Sequence, residues 1–198
     1  KCRIILFLES PIPSKYYDNI ENCLKFNLID SLNFLKKAQK AGITKFIIAG
    51  SCFEYGKKGE EYEFIPPDSG LFPTQTYPAS KAAFSLICTQ WAIENSLDLS
   101  ILRIFQVYGE GESESRFWPS IQKAAKSGND FEMTKGSQIR DFIDVKKVAE
   151  EILKEAIDKN KFVSIRNIGS GLPKTLAQFA QEIWDKNNAK GKLILGSK

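Results

Sequence analysis

Short apolar runs of strand length alternate along this chain with longer amphipathic stretches, and that alternation constrains the fold more than any other feature. Arg3–Leu8 (RIILFL) is bounded by Glu9, Ser10 and two prolines, the pattern of a buried strand followed by a loop. Leu24, Leu28, Leu32, Leu35 and Ala38 recur at helical spacing, which predicts an amphipathic helix over Asn22–Lys40 ended by Gly42. KFIIAGS at Lys45–Ser51 reads as a second buried strand and LSILRIFQV at Leu99–Val107 as a third. Between them, Ala83, Ile87 and Trp91 share one face of a helix expected over Tyr77–Asn95. Further on, Pro119 suits the first turn of a helix ending at Ser127, and Asp144 caps one striped by Val145, Val148, Ala149, Ile152 and Ala156. The strand FVSIRNI follows, and Thr175 caps a last helix that buries Leu176, Phe179, Ala180, Ile183 and Trp184. Parallel neighbours need helical crossovers, so the expected class is α/β with a parallel sheet.

Composition removes whole classes of function. The 198 residues, 42% of them hydrophobic, suffice for one good-sized core or for a domain plus a small lobe. The absence of histidine excludes His-based triads, His metal sites and His general bases. A net charge of +4, spread along the chain, lacks the basic footprint of a nucleic-acid binder. Cys2, Cys23, Cys52 and Cys88 form no C-x-x-C pair, so no metal site is expected and Cys52 reads as structural. No run approaches the roughly 18 apolar residues of a membrane helix, and a cytoplasmic protein is expected.

In an open parallel sheet, ligands gather at the carboxyl ends of the strands. Ser51 closes the second strand, Y-P-A-S-K opens the following helix, and Phe105 and Gln106 close the third strand. The segment Glu54–Thr76, rich in Gly, Pro and acidic residues, reads as a long loop of functional or mobile character. Tyr77 and Lys81 share a helix face, where an ammonium favours the phenolate and lowers a pKa of about 10. A tyrosine so tuned passes protons to and from an alcohol or sugar oxygen, and Ser51 would orient that oxygen by a hydrogen bond. The bland alternative is a solvated helix pair.

Five segments, F-I-I-A-G-S-C-F-E-Y-G, Y-P-A-S-K, L-R-I-F-Q-V-Y-G, R-D-F-I-D-V-K-K-V-A and N-I-G-S-G, together resemble the extended short-chain dehydrogenase/reductase family, specifically its nucleotide-sugar epimerases and dehydratases. Order and spacing agree across nearly the whole chain. The resemblance implies a Rossmann-type doubly wound parallel sheet with a small substrate-binding lobe. Residues 1–110 would be the C-terminal part of the NAD(P)-binding domain and 111–198 the lobe, with about 139–168 returning to the sheet. It further implies Ser51, Tyr77 and Lys81 as catalytic residues, with Asn27, Tyr77, Lys81 and Phe105 on an NAD or NADP cofactor. Ser51, Gln106, Arg116 and Arg140 would contact a nucleotide-diphosphate sugar. Asn27 reads equally as an exposed polar position, Phe105 as a core aromatic and Arg116 as a surface charge, while Asp141 pairs with Arg140 or caps a turn. A homodimer built from the helices at Tyr77 and at Asn22–Lys40 is also implied.

Two departures stand out. No G-x-x-G-x-x-G occurs, so the resemblance places the glycine-rich phosphate loop and the first two strands before Lys1. Cys52 and Phe53 stand where sugar 4,6-dehydratases carry an Asp-Glu pair, which disfavours dehydration. The expected activity is therefore nucleotide-sugar epimerisation, with 4-keto-6-deoxysugar reduction or a non-catalytic dinucleotide-binding scaffold as alternatives.

Overall fold

The computed structural model describes residues 4–7, 19–158 and 162–197. The chain divides into two units, one of residues 1–104 and 150–168 and the other of 105–149 and 169–198.

The first unit is built on a parallel sheet in the order β1 (Ile4–Phe7), β2 (Lys45–Ser51), β3 (Asp98–Ile104) and β7 (Val163–Ile168). Every residue of β2 is buried, as expected of a strand covered on both faces. Phe46 and Ile48 of β2, with Leu99 and Ile101 of β3, pack under α2 (Ser31–Lys40) and α3 (Thr76–Glu94) through Leu35, Phe84, Cys88 and Trp91. The alternate residue Ser100 points to the opposite face, where its hydroxyl meets Glu155 of α5 (Val145–Ile157) at 2.5 Å. Helices therefore cover both faces of this sheet, the doubly wound arrangement.

Two helices depart from their expected faces. Before α2 the chain forms a short α1 (Ile20–Asn22) and a π-helical stretch, Cys23–Asp30. Leu28, Leu32, Leu35 and Ala38 of the expected stripe pack on the core, but the wider turn also buries Cys23, Asn27 and Ser31 and leaves Leu24 43% exposed. On α3 the buried face is Phe84, Cys88, Trp91 and Ala92, and Ile87 is exposed.

The expected third strand is two strands. Its pairing in the first sheet runs out at Ile104, opposite Ser51 on one side and Ile168 on the other. After Phe105 the chain forms β4 (Gln106–Tyr108) in the second unit, parallel to β6 (Ile139–Asp144), which pairs antiparallel with β8 (Pro173–Thr175). β5 (Phe131–Met133) and β9 (Leu193–Leu195) form a separate parallel pair. The core of this unit joins Ile121 of α4 (Phe117–Ser127) and Phe142 to Phe179, Ile183 and Trp184 of α6 (Leu176–Lys186), with Phe142 and Phe179 stacked at 3.9 Å between centroids. Thr175 caps α6 in a reciprocal box with Gln178. Pro119 sits in the first turn of α4, which starts at Phe117.

Candidate active site

Ser51 is the last residue of β2 and the N-cap of a single 3-10 turn, Cys52–Glu54. Its hydroxyl accepts from Phe53 N at 3.2 Å and donates to no described residue, which leaves its proton for a substrate oxygen. Its own N–H donates to Glu54 Oε1 at 2.8 Å, completing a capping box that fixes the serine backbone.

Glu54 is the residue that sequence reasoning missed. Fully buried, it accepts from Ser85 Oγ at 2.9 Å and from Arg103 Nε at 3.1 Å through Oε2. Gly50 makes room for it, since a Cβ there would stand 2.9 Å from Glu54 Oε1. Arg103 also donates to Pro67 O at 2.9 Å and lies 4.6 Å over the Tyr55 ring. The buried Tyr55 donates to Asn167 Oδ1 at 2.6 Å, and Asn167 in turn donates to Ile65 O at 2.7 Å. Burial pushes the Tyr55 phenol up from its ordinary pKa, so it serves as a neutral donor. The loop expected over Glu54–Thr76 is thus pinned from within. Gly56 belongs to the same device, with φ at +52° and the Phe72 carbonyl where a Cβ would lie. The visible signal was Arg103, a charge inside an otherwise apolar strand.

Tyr77 and Lys81 occupy the first two turns of α3. Tyr77 is half-buried, whereas Lys81 is 6% exposed and gives one proton to Ala49 O at 2.6 Å. Burial lowers the Lys81 pKa, against the opposing pull of Glu54 and Cys88. The Cys88 thiol is pushed up to about 12 by its own burial and is inert at ordinary pH. Asn27 is buried in the π-helical stretch and donates to Ser80 Oγ at 2.8 Å, which donates to Tyr77 O at 2.8 Å. The expectation of an exposed helical position for Asn27 therefore gives way to a buried link to the backbone of Tyr77.

The remaining candidates belong to the second unit. Gln106 and Arg140 line a cavity of about 190 Å³ together with Glu112 and the rings of Tyr108, Phe117 and Trp118. Arg116 is not among the lining residues; it is half-exposed and pairs with Glu112 at 3.3 Å. Phe105 is half-buried. Asp141 caps a turn, accepting from Ser170 N at 2.7 Å, Ser170 Oγ at 2.6 Å and Gly171 N at 2.8 Å. Among the described residues no cluster of three or more His, Cys, Asp or Glu could hold a metal ion, and no helix is long and apolar enough to cross a membrane.

For a nicotinamide cofactor, the fit of these residues is partial. The buried Lys81 ammonium keeps two N–H donors that no described residue accepts, a chemistry suited to ribose hydroxyls. Among the described residues none forms a glycine-rich cradle for the pyrophosphate.

The sequence model of the NAD dependent epimerase/dehydratase family matches residues 4–169. The chain belongs to that family. It is 24% identical over 181 residues to a GDP-6-deoxy-D-mannose reductase of Pseudomonas aeruginosa, covering 88% of this chain and 59% of that protein. It is 26% identical over 192 residues to a UDP-glucose 4-epimerase of Yersinia enterocolitica, covering 86% of this chain and 54% of that one. The chain thus spans little more than half the length of these two relatives. The solved structure of RMD from Pseudomonas aeruginosa complexed with NADPH matches with a TM-score of 0.83 at 21% identity, covering 98% of this chain and 68% of that one. The common fold is thereby the Rossmann-type α/β fold of the family.

Proposed function

We propose that this chain carries the catalytic residues of an NAD(P)-dependent nucleotide-sugar epimerase, with Tyr77 as the acid/base. The observation that carries this reading is the buried Lys81 ammonium, one helical turn from Tyr77 and bonded to the Ala49 carbonyl, on the same strand end as Ser51, whose hydroxyl proton is uncommitted. Lys81 favours the phenolate, Tyr77 takes the proton of a sugar hydroxyl, and Ser51 donates a hydrogen bond to the same oxygen. The nicotinamide, when bound, supplies the hydride acceptor and donor at the sugar carbinol carbon. Gln106 and Arg140 hold the nucleotide diphosphate, a role that guanidinium suits through charge-assisted hydrogen bonds.

Reduction of a 4-keto-6-deoxysugar is the second reading, supported by the similarity to a GDP-6-deoxy-D-mannose reductase. A non-catalytic scaffold has no use for the retained Ser51, Tyr77 and Lys81. Mixing the full protein with nicotinamide cofactor and nucleotide-diphosphate hexoses separates the readings. Epimerisation inverts a carbinol centre with no net change in nicotinamide absorbance, and reduction consumes the reduced cofactor stoichiometrically. Absence of both activities across UDP-, GDP-, dTDP- and CDP-hexoses and their 4-keto-6-deoxy forms would overturn the proposal.

A homodimer and a cytoplasmic setting belong to the same reading. Leu86 and Ile93 of α3 are exposed, as are Ile20 and Phe34 on the neighbouring helical segment, an apolar face for a second copy. Cys88 is a free, buried thiol, in keeping with a reducing compartment. Leu86→Glu combined with Ile93→Lys should convert a dimer to a monomer in sedimentation velocity. A wild-type protein that sediments as a monomer at high concentration would refute the dimer.

A further inference from the structure

Glu112, in the loop between β4 and α4, lines the cavity of the second unit. Its Oε1 accepts from Arg116 Nε at 3.3 Å. Its Oε2 is buried and accepts no hydrogen bond from any described residue. A buried carboxyl oxygen without a donor is costly, so it calls for a donor from a bound molecule or an ordered water.

The cavity describes that ligand. Its volume of about 190 Å³ lies below the range of roughly 300–1,000 Å³ that encloses a drug-sized ligand, so it takes one ring system rather than a whole nucleotide sugar. Tyr108, Phe117 and Trp118 offer aromatic surface of the kind on which bases stack. Gln138 brings an amide group that donates to a carbonyl or ring-nitrogen acceptor. A phosphate beside Glu112 would meet like charge, whereas Arg140, which also lines the cavity, offers its cation to the diphosphate attached to the ring. The group required is flat, with N–H donors on one edge and acceptors on another.

We propose that this cavity seats a guanine base, with the Glu112 carboxylate accepting from its ring N1–H and its exocyclic 2-amino group. This assignment rests on the reading of the chain as a nucleotide-sugar enzyme. Guanine alone among the common bases presents two adjacent donors that a carboxylate can bridge. Uracil and thymine place their single ring N–H between two carbonyl oxygens, which a carboxylate repels. Cytosine and adenine offer one amino group beside an acceptor nitrogen.

Binding of GDP, IDP and UDP to the full wild-type protein, measured by titration calorimetry, tests the assignment. IDP differs from GDP only in lacking the 2-amino group, so this comparison does not depend on any variant's folding. GDP should bind about tenfold or more tightly than either IDP or UDP, the size of one charge-assisted hydrogen bond. Glu112→Gln should lower GDP affinity by about tenfold or more and leave UDP within about twofold. UDP binding as tight as GDP, or IDP equal to GDP, overturns the guanine assignment while the nucleotide-sugar reading stands. Failure of all three diphosphates to bind overturns both.

Discussion

Replacing Glu54 by leucine is expected to lower stability by about 3–5 kcal/mol, the cost of breaking a buried ion pair from one side. The variant leaves the Arg103 guanidinium, which is 3% exposed, without its carboxylate. It also removes the acceptor for Ser85 Oγ and for the Ser51 N–H, two buried donors that then lie orphaned. The loss should appear as a lower midpoint of urea unfolding at an unchanged slope. The double variant Glu54→Leu with Arg103→Met should recover the part due to the unpaired guanidinium, because apolar groups replace a buried pair at little net cost, while the Ser85 and Ser51 donors stay orphaned. A Glu54→Leu cost below about 1 kcal/mol, or no recovery in the double variant, would show that the pair does not hold this end of the sheet together.

That network also marks where the sequence was readable and where it was not. β2 was legible to the residue, because a uniformly apolar run ending in small residues has few alternatives to a buried parallel strand, and its end placed Ser51. The cap at Thr175 was equally plain, since the hydroxyl and Gln178 satisfy each other's backbone locally. The break at Phe105 was invisible, because LSILRIFQV is apolar on both sides of it and the cause lies in strands that end opposite Ile104. The leucine stripe of Asn22–Lys40 found the core side from Leu28 to Ala38 but missed its first turns, because periodicity assumes an α-helical turn throughout and the π-helical stretch exposes Leu24 and buries Asn27. Strands as short as β5, β8 and β9 carry too few residues for any alternation to show. Of the candidate site, Tyr77, Lys81 and Ser51 were legible as residues. The Glu54 carboxylate behind them was hidden because its partners lie 31 and 49 residues further along the chain.

Tyr77→Phe is expected to lower kcat by about a thousandfold, within the 10²–10⁴ that a positioned acid/base contributes. The ring and its packing remain, so the urea midpoint should be unchanged and KM should move far less than kcat. Lys81→Met tests the other half of the device. It removes the charge that stabilises the phenolate, so Tyr77 keeps its proton to higher pH and the rising limb of the activity profile moves upward. The wild-type falling limb has an opposite origin. Burial lowers the Lys81 pKa, so its ammonium is lost before an ordinary lysine would deprotonate, and phenolate support is lost with it. Lys81→Met should lack that limb altogether. A Tyr77→Phe enzyme with wild-type kcat would remove Tyr77 from the chemistry. A Lys81→Met profile superimposable on the wild type would assign the buried ammonium to holding the Ala49 carbonyl and nothing more.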